Sequence, residues 1–334
     1  MRGIFFSSFS ENLFKKTVTF IKPYKLIEKH LLFKMKKLFS IFLIATAVFA
    51  NAQDSKETAN RFFYELTYAS NKDSLQNTKK EMTILDITKD KSVYRDFLAV
   101  SQDSILKVEV EAMQKAGVYK DLSKTLKQPK FSHIITKIYP ITETSYADYI
   151  LQDKVNYKEA IAFNWNISGE KAKIGEYNAQ KATATYGGRN WIAWFTTELP
   201  FQDGPYKFSG LPGLIVKVED DAKNYSWEVK GNKKIQNYVE ESYSEKLMKQ
   251  FGQGTKSLEV NREKFEQLYA AYKKDPFGSI RSQLSQIPAD AKMPDGTSIS
   301  QMMRDTEDRL KKHLAENNNS IEVSAAATQT KKKK

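Results

Sequence analysis

The chain of 334 residues contains no cysteine and three histidines, of which His133 and His313 lie beyond residue 52. Without cysteine there is no thiolate nucleophile, no Cys-based zinc site and no disulfide. Two histidines so far apart in sequence argue against a His-based metal site and against a Ser-His-Asp triad. His133 opens an expected strand, where a structural role is the ordinary one. The sequence has no G-x-S-x-G elbow, H-E-x-x-H helix, EF-hand loop, G-x-x-x-x-G-K-[ST] or G-x-G-x-x-G. No cofactor and no metal site are expected. Carboxylates are plentiful, among them Glu198, Asp203, Glu219, Asp220 and Asp221. Glycoside hydrolysis needs only two at the right separation, so that chemistry stays open. Asp220-Asp221 reads more simply as a solvated turn.

The four tryptophans, Trp165, Trp191, Trp194 and Trp227, fall in one stretch. Trp191 and Trp194 are three apart, so a regular strand points them to opposite faces. Trp191 then shares a face with Ala193 and Phe195, and Trp194 with Ile192 and Thr196. One of the pair could face a sugar, lipid or peptide ligand. Packing of all the tryptophans into the core is the simpler alternative, since aromatics suit β-sheets.

These side chains must be positioned mainly by strands. Residues 61–70, 81–88 and 92–100 are aromatic or partly alternating, and Lys89-Asp90-Lys91 is a turn between the last two. Residues 104–116 carry Ile105, Val108, Ala112 and Met113 at helical spacing, and Gly117 stops that helix. Strands are then expected over 133–139, 145–151, 160–167, 177–186, 190–197, 214–219 and 225–230. Ser168-Gly169, Gly187-Gly188, Asp203-Gly204-Pro205 and Asp220-Asp221 are turns between them. No long helix interrupts this run, which disfavours a doubly wound fold. Phe265, Leu268, Tyr269 and Tyr272 mark a helix over 263–272, and Met302, Met303, Leu310 and Leu314 a second over 299–314.

The N-terminal region reads as an export signal. Met35-Lys36-Lys37 is a basic start, residues 38–49 an apolar run, and Ala50-Asn51-Ala52 a small-x-small cleavage site. The run is shorter than the ~20 residues that span a bilayer. Cleavage near Ala52 would start the mature chain near Gln53. Residues 1–34 precede a complete signal with its own methionine and are read as a start placed too far upstream; an extended basic n-region is the alternative. No later segment is long and apolar enough to span a membrane. The net charge of +13 shrinks accordingly, because residues 1–52 hold nine basic and two acidic residues and Lys331, Lys332, Lys333 and Lys334 add four more positive charges. The body between is near neutral, which argues against a nucleic-acid partner.

Gly204-Pro205-Tyr206-Lys207-Phe208-Ser209 leads into Gly210-Leu211-Pro212-Gly213-Leu214-Ile215. Pro212-Gly213 suits the centre of a type II turn, and glycine at 210 and 213 permits positive φ or close backbone approach. Leu214, Val216 and Val218 alternate with Ile215, Lys217 and Glu219, so a strand should follow with Leu211 and Leu214 buried. A glycine-rich rim to a ligand groove is the other reading of the motif. This run resembles the GLPGLI family of Bacteroidetes exported proteins. Trp165-Asn166-Ile167, Lys173-Ile174-Gly175-Glu176-Tyr177, Gln180-Lys181-Ala182-Thr183, Gly188-Arg189 and Ala193-Trp194-Phe195-Thr196 extend the resemblance. Many relatives carry a cysteine near Ala179, which this chain lacks. The resemblance implies a secreted or periplasmic β-rich protein and lends no catalytic residues.

The expected architecture is mainly β with α+β character: a curved antiparallel sheet or half-barrel with C-terminal helices. Its parts are an upstream extension (1–34), a signal peptide (35–52), a β-rich domain (53–240), a helical part (241–316) and a disordered basic tail (317–334). The expected function is non-enzymatic: a periplasmic, outer-membrane-associated or extracellular protein that binds an apolar ligand or an outer-membrane protein. A carboxylate-based hydrolase of envelope polymers is the alternative.

Overall fold

The computed structural model describes residues 57–323, apart from 119, 121, 123, 124, 128, 152, 251–256, 289, 293–295 and 297. The expected signal peptide, the segment before it and the terminal lysines lie outside the described residues.

Twelve strands and five helices are described. The strands are β1 (Ala59–Ala69), β2 (Thr78–Ile87), β3 (Lys91–Asp96), β4 (Ile134–Ile138), β5 (Thr144–Ile150), β6 (Asp153–Glu159), β7 (Asn166–Ile174), β8 (Tyr177–Tyr186), β9 (Arg189–Thr196), β10 (Leu214–Asp220), β11 (Tyr225–Ile235) and β12 (Leu258–Glu259). The helices are α1 (Phe97–Ala116), α2 (Tyr243–Gln250), α3 (Arg262–Lys274), α4 (Arg281–Leu284) and α5 (Ile299–Glu316). All strands join one sheet in the order β12-β6-β5-β4-β3-β2-β1-β11-β10-β9-β8-β7. The short β12 pairs with β6 in parallel, and the other pairings are antiparallel. The chain is therefore mainly β, with a mixed, unclosed sheet and helices that include C-terminal ones.

Two distances show how far this sheet bends. Strands β6 and β8 are nine places apart, which in a flat sheet is about 43 Å at ~4.8 Å per strand. Yet the Lys207 ammonium donates to the Tyr157 hydroxyl of β6 at 2.8 Å, while the next residue, Phe208, lies 6.3 Å ring to ring from Tyr186 of β8. Likewise, residues 160–165 connect β6 to the edge strand β7, ten places away. That connection reaches at most about 25 Å when fully extended, half the flat-sheet distance. The sheet thus curls around the chain segment that carries Lys207 and Phe208.

Alternation along the strands sorts the residues by face. Phe62, Tyr64, Leu66 and Tyr68 of β1 are buried on the concave side with Leu85, Tyr94, Ile135, Trp191, Phe195 and Trp227. On the other face Arg61 grips Asp86 through two hydrogen bonds of 2.6 and 2.9 Å. Arg95, beside the same carboxylate, donates to the Tyr238 hydroxyl and the Glu240 carbonyl. These bonds hold the segment after β11 against β1–β3.

Three local expectations are revised. The strand expected to run to residue 100 stops at Asp96, whose carboxylate accepts the Leu98 amide and so starts α1 at Phe97. Gly117, at φ 63°, ends that helix as expected. The strand expected over 160–167 is displaced: β6 ends at Glu159, 160–165 cross the seam, and β7 begins at Asn166. Residues 317–323, expected to begin a disordered tail, instead hydrogen-bond to the ends of β1, β8, β9 and β11.

The turn into β10 also differs from expectation. The Gly213 amide bonds to the Leu211 carbonyl at 2.8 Å, closing a three-residue turn around the exposed Pro212, while the Leu214 amide goes to Leu199. Gly213 has φ 155°, and a Cβ there would lie 2.1 Å from the Thr196 carbonyl oxygen. Past the turn, β10 shifts register against β9 between Ile215 and Lys217. This bulge turns Ile215 to the face of its partner Phe195, the concave one, instead of sharing a face with Lys217. Ala at 213 should therefore destabilise the protein by about 3 kcal/mol, the upper end of overpacking costs. Pro212→Ala should remove only ~0.4–1 kcal/mol, through the unfolded chain. Urea unfolding of both variants checks this; equal losses would contradict the close-approach argument.

Candidate functional site

The motif belongs to a longer loop between β9 and β10. Residues 203–209 are all buried, lying on the concave face with a two-residue antiparallel bridge between Asp203 and Ser209. Gly204 is pressed against Ile215: a Cβ at 204 would meet that side chain at 2.8 Å. Tyr206 stacks on Trp227, and Phe208 packs edge-on against Trp191 at 4.7 Å. Leu211, Leu214 and Ile215 are buried, Gly210 is exposed at φ 88°, and Pro212 faces solvent. The motif thus supplies a tight entry to β10 and a buried loop.

Two lysines accompany that loop into the interior, each with 0% exposure. Lys137 of β4 forms an ion pair with Asp203 and donates to the carbonyls of Gly204 at 2.8 Å and Phe208 at 3.2 Å. Tyr139 donates to the other Asp203 oxygen at 2.5 Å. Burial pulls the Lys137 ammonium below its ordinary pKa, against the opposing pull of Asp203.

Lys207 lies in a cage of tyrosines, with its ammonium 5.0 to 5.6 Å from the rings of Tyr146, Tyr157 and Tyr206. It pairs with Glu159 at the end of β6 and with Glu322 at 2.6 Å. Arg262, the first residue of α3, closes the cluster by bonding Glu159 at 2.6 Å and Glu322 at 2.5 Å. Tyr206 donates to Glu322 at 2.6 Å. Two cations thus face two carboxylates, with Glu266 attached on the solvent side of Arg262. Burial alone would raise the Glu322 pKa. The charges of Lys207 and Arg262 and the bonds from Lys207 and Tyr206 outweigh it, leaving the carboxyl below its ordinary 4.5.

Glu322 arrives on a strap, residues 318–323, that follows α5. The Gly187-Gly188 turn, with φ 57° and 75°, leaves space for it: a Cβ at 187 would meet Glu322 at 2.8 Å, and one at 188 would meet Val323 at 3.0 Å. Arg189 is held by Asp220 at 2.9 Å over the Tyr225 ring. It donates to the carbonyls of Ser320 and Ile321 and to the Asn319 side-chain oxygen, all at 2.8–2.9 Å. Lys137, Lys207, Glu159, Arg262, Arg189 and Glu322 were not among the sequence-derived candidates. A lysine inside the aromatic motif was the one available signal.

Of those candidates, Trp191 is buried, with its indole N–H on the Tyr186 carbonyl. Trp194 is half-buried on the convex face, where Lys181 lies 5.8 Å from its ring. They do not converge. His133 is stacked between Tyr94 and Tyr146, and burial lowers its pKa. Asp220 accepts from Arg189, Asn224 and the Tyr225 amide, so it is a buried organiser rather than a solvated turn residue.

A pocket of about 290 Å³ lies elsewhere, between β1, β2 and the start of α1, lined by Glu65, Lys80, Glu81, Asp96, Phe97 and Ser101 among others. Burial and the Asp96 charge raise the Glu81 pKa. Asp96 itself accepts the Leu98, Lys130 and Phe131 amides with its two oxygens. Among the described residues no three His, Asp or Glu side chains converge in a way that could hold a metal ion, and no helix is long and apolar enough to cross a membrane.

Comparison with known proteins bears on one stretch. Residues 187–217 match a family model described as a protein of unknown function (Porph_ging). The match runs from the Gly187-Gly188 turn through the buried loop to β10. No curated protein matches the chain. Two solved structures of PNGF-II, in C2 and P21 crystal forms, align with TM-score 0.42 and 14% identity over 64% of this chain. The chain spans about a third of their length (32% and 33%). At that similarity neither activity nor ligand carries over.

The depressed Glu322 pKa gives a pH dependence with a defined sign. The stability contributed by an ionised Glu322 is complete above its unfolded value near 4.5 and is lost as pH falls through the lower folded value. The difference in melting temperature between the native chain and Glu322→Gln should be flat above about pH 5 and vanish on further acidification. A difference that grows in acid would contradict the assignment.

Proposed function

We propose that this chain is an exported protein of the cell envelope, of the GLPGLI type, that acts by binding a partner and not by catalysing a reaction. The observation that carries this reading is the filling of the concave face by the chain's own residues 203–209, with the buried charges committed to protein partners. A catalytic site needs a cleft where uncommitted polar groups converge on a reacting atom. In the 290 Å³ pocket Asp96 is already engaged by backbone amides and Glu65 is paired with Lys80 at 3.0 Å, leaving Glu81 without the second free carboxylate that glycoside hydrolysis requires. The filled interior also favours a partner met at the rims or convex face, such as an outer-membrane protein, over an enclosed apolar ligand.

Export rests on residues 35–52, and the GLPGLI assignment on the run Gly210-Leu211-Pro212-Gly213-Leu214-Ile215 within the matched stretch. Fractionation of the native cells should find a species beginning near Gln53 outside the cytoplasm; an intact Met1 in the cytoplasm would overturn the export reading. Purified protein should release no fragments from envelope polysaccharide or peptidoglycan. Turnover that disappears in Glu81→Gln would establish the hydrolase instead.

A further inference from the structure

The strap is bound as a peptide ligand is bound. Three successive carbonyls, those of Asn319, Ser320 and Ile321, accept from side chains of the sheet: the first from the Tyr225 hydroxyl, the other two from Arg189. The amide of Asn319 bonds the Ser70 carbonyl at 3.1 Å, and that of Val323 the Gly187 carbonyl at 2.8 Å. Two side chains are read chemically. The Asn319 carboxamide donates to the Ala69 carbonyl and Asn224 and accepts from Arg189, so both its ends are tested. The Glu322 carboxylate accepts from Tyr206 and Arg262 and pairs with Lys207. Ile321 packs between them against the core.

The receptor is built independently of the strap. Asp220 fixes Arg189, Glu159 is shared by Lys207 and Arg262, and the Gly187-Gly188 turn leaves the groove open. The tether, by contrast, is weakly held: no residue of α5 is buried. This 18-residue helix, about 27 Å long, is what joins the strap to the preceding chain.

We propose that this rim groove is a recognition site for an extended acidic peptide of the pattern Asn-x-Ile-Glu, presented by a partner protein, with residues 319–322 as the resident ligand in cis. The partner displaces the strap and supplies the carboxylate to Lys207 and Arg262. The proposal rests on the binding reading above but not on export.

The test uses the full chain with a protease recognition sequence inserted between Glu316 and Asn317, cleaved after folding. A fluorescent peptide of residues 317–323 is then added and its anisotropy followed. Cleaved protein should take up the peptide, and uncleaved protein should not. Peptides carrying Glu322→Gln or Asn319→Ala should bind ~10-fold or more weakly, as loss of charge-assisted and paired hydrogen bonds requires. Unfolding on cleavage would make the strap an integral part of the fold and overturn the proposal. So would folded, cleaved protein that takes up no peptide, or one that binds all three peptides alike. Failure here leaves the absence of polymer cleavage, which tests the broader binding reading, unaffected.

Discussion

Burying residues 203–209 against the concave face removes seven peptide groups and a lysine from water. An unsatisfied buried donor or acceptor costs ~1–3 kcal/mol, so the segment can sit there only if the sheet supplies partners. Lys137 answers part of this demand. One ammonium neutralises Asp203 and caps the carbonyls of Gly204 and Phe208, tying both ends of the loop to β4. Tyr64 caps the Ile215 carbonyl at 2.8 Å, and the Ile215 amide bonds the Asp203 carbonyl. The bulge in β10 and the loop beside it are therefore satisfied together.

Close approach is the second half of the same constraint. The loop lies on the sheet because two positions have no side chain. Gly204 admits Ile215, and Gly213 admits the Thr196 carbonyl. With the backbone drawn in, Tyr206 and Phe208 reach Trp191 and Trp227 and replace the opposite wall that a flat sheet would need. Curvature, aromatic packing and glycine placement are one arrangement: relaxing any of them would separate β6 from β8 and open the seam crossed by residues 160–165.

Much of this was legible in the sequence, and the missing parts have physical reasons. Alternation and turn residues located most strands from β1 to β11, because half-buried strands display period two. Strand β6 shows the same pattern, with Val155 and Tyr157 inward between charged neighbours, but it is missing from the expected strands: the apolar stretch after it reads as the strand instead, and Ser168-Gly169, expected as a turn, lies inside β7. Helix α1 begins inside an apolar run where only the Asp96 cap distinguishes helix from strand. Trp191 and Trp194 were correctly separated onto two faces, since spacing alone decides that. The charge cluster was not legible. Lys207, Glu159, Arg262 and Glu322 come from a loop, a strand end, a helix start and the strap, and only the curl of the sheet makes them neighbours. Residues 317–323 have the polar composition of a tail, and composition does not reveal a receptor waiting elsewhere.

That receptor has an electrostatic requirement of its own. With the strap seated, Lys207 and Arg262 face Glu159 and Glu322, and Arg262 has Glu266 on its solvent side as well. With the strap removed, Arg262 keeps Glu159 and Glu266, while Lys207 keeps only the shared Glu159 carboxylate. Breaking one side of a buried ion pair is far more costly than exchanging its occupant. An apolar or basic segment entering the groove would leave Lys207 with half of one shared carboxylate, whereas an acidic one supplies the second. Selectivity for a carboxylate at this rim therefore follows from the buried lysine itself. The lysine, in turn, is held inside by the loop around which the sheet is folded.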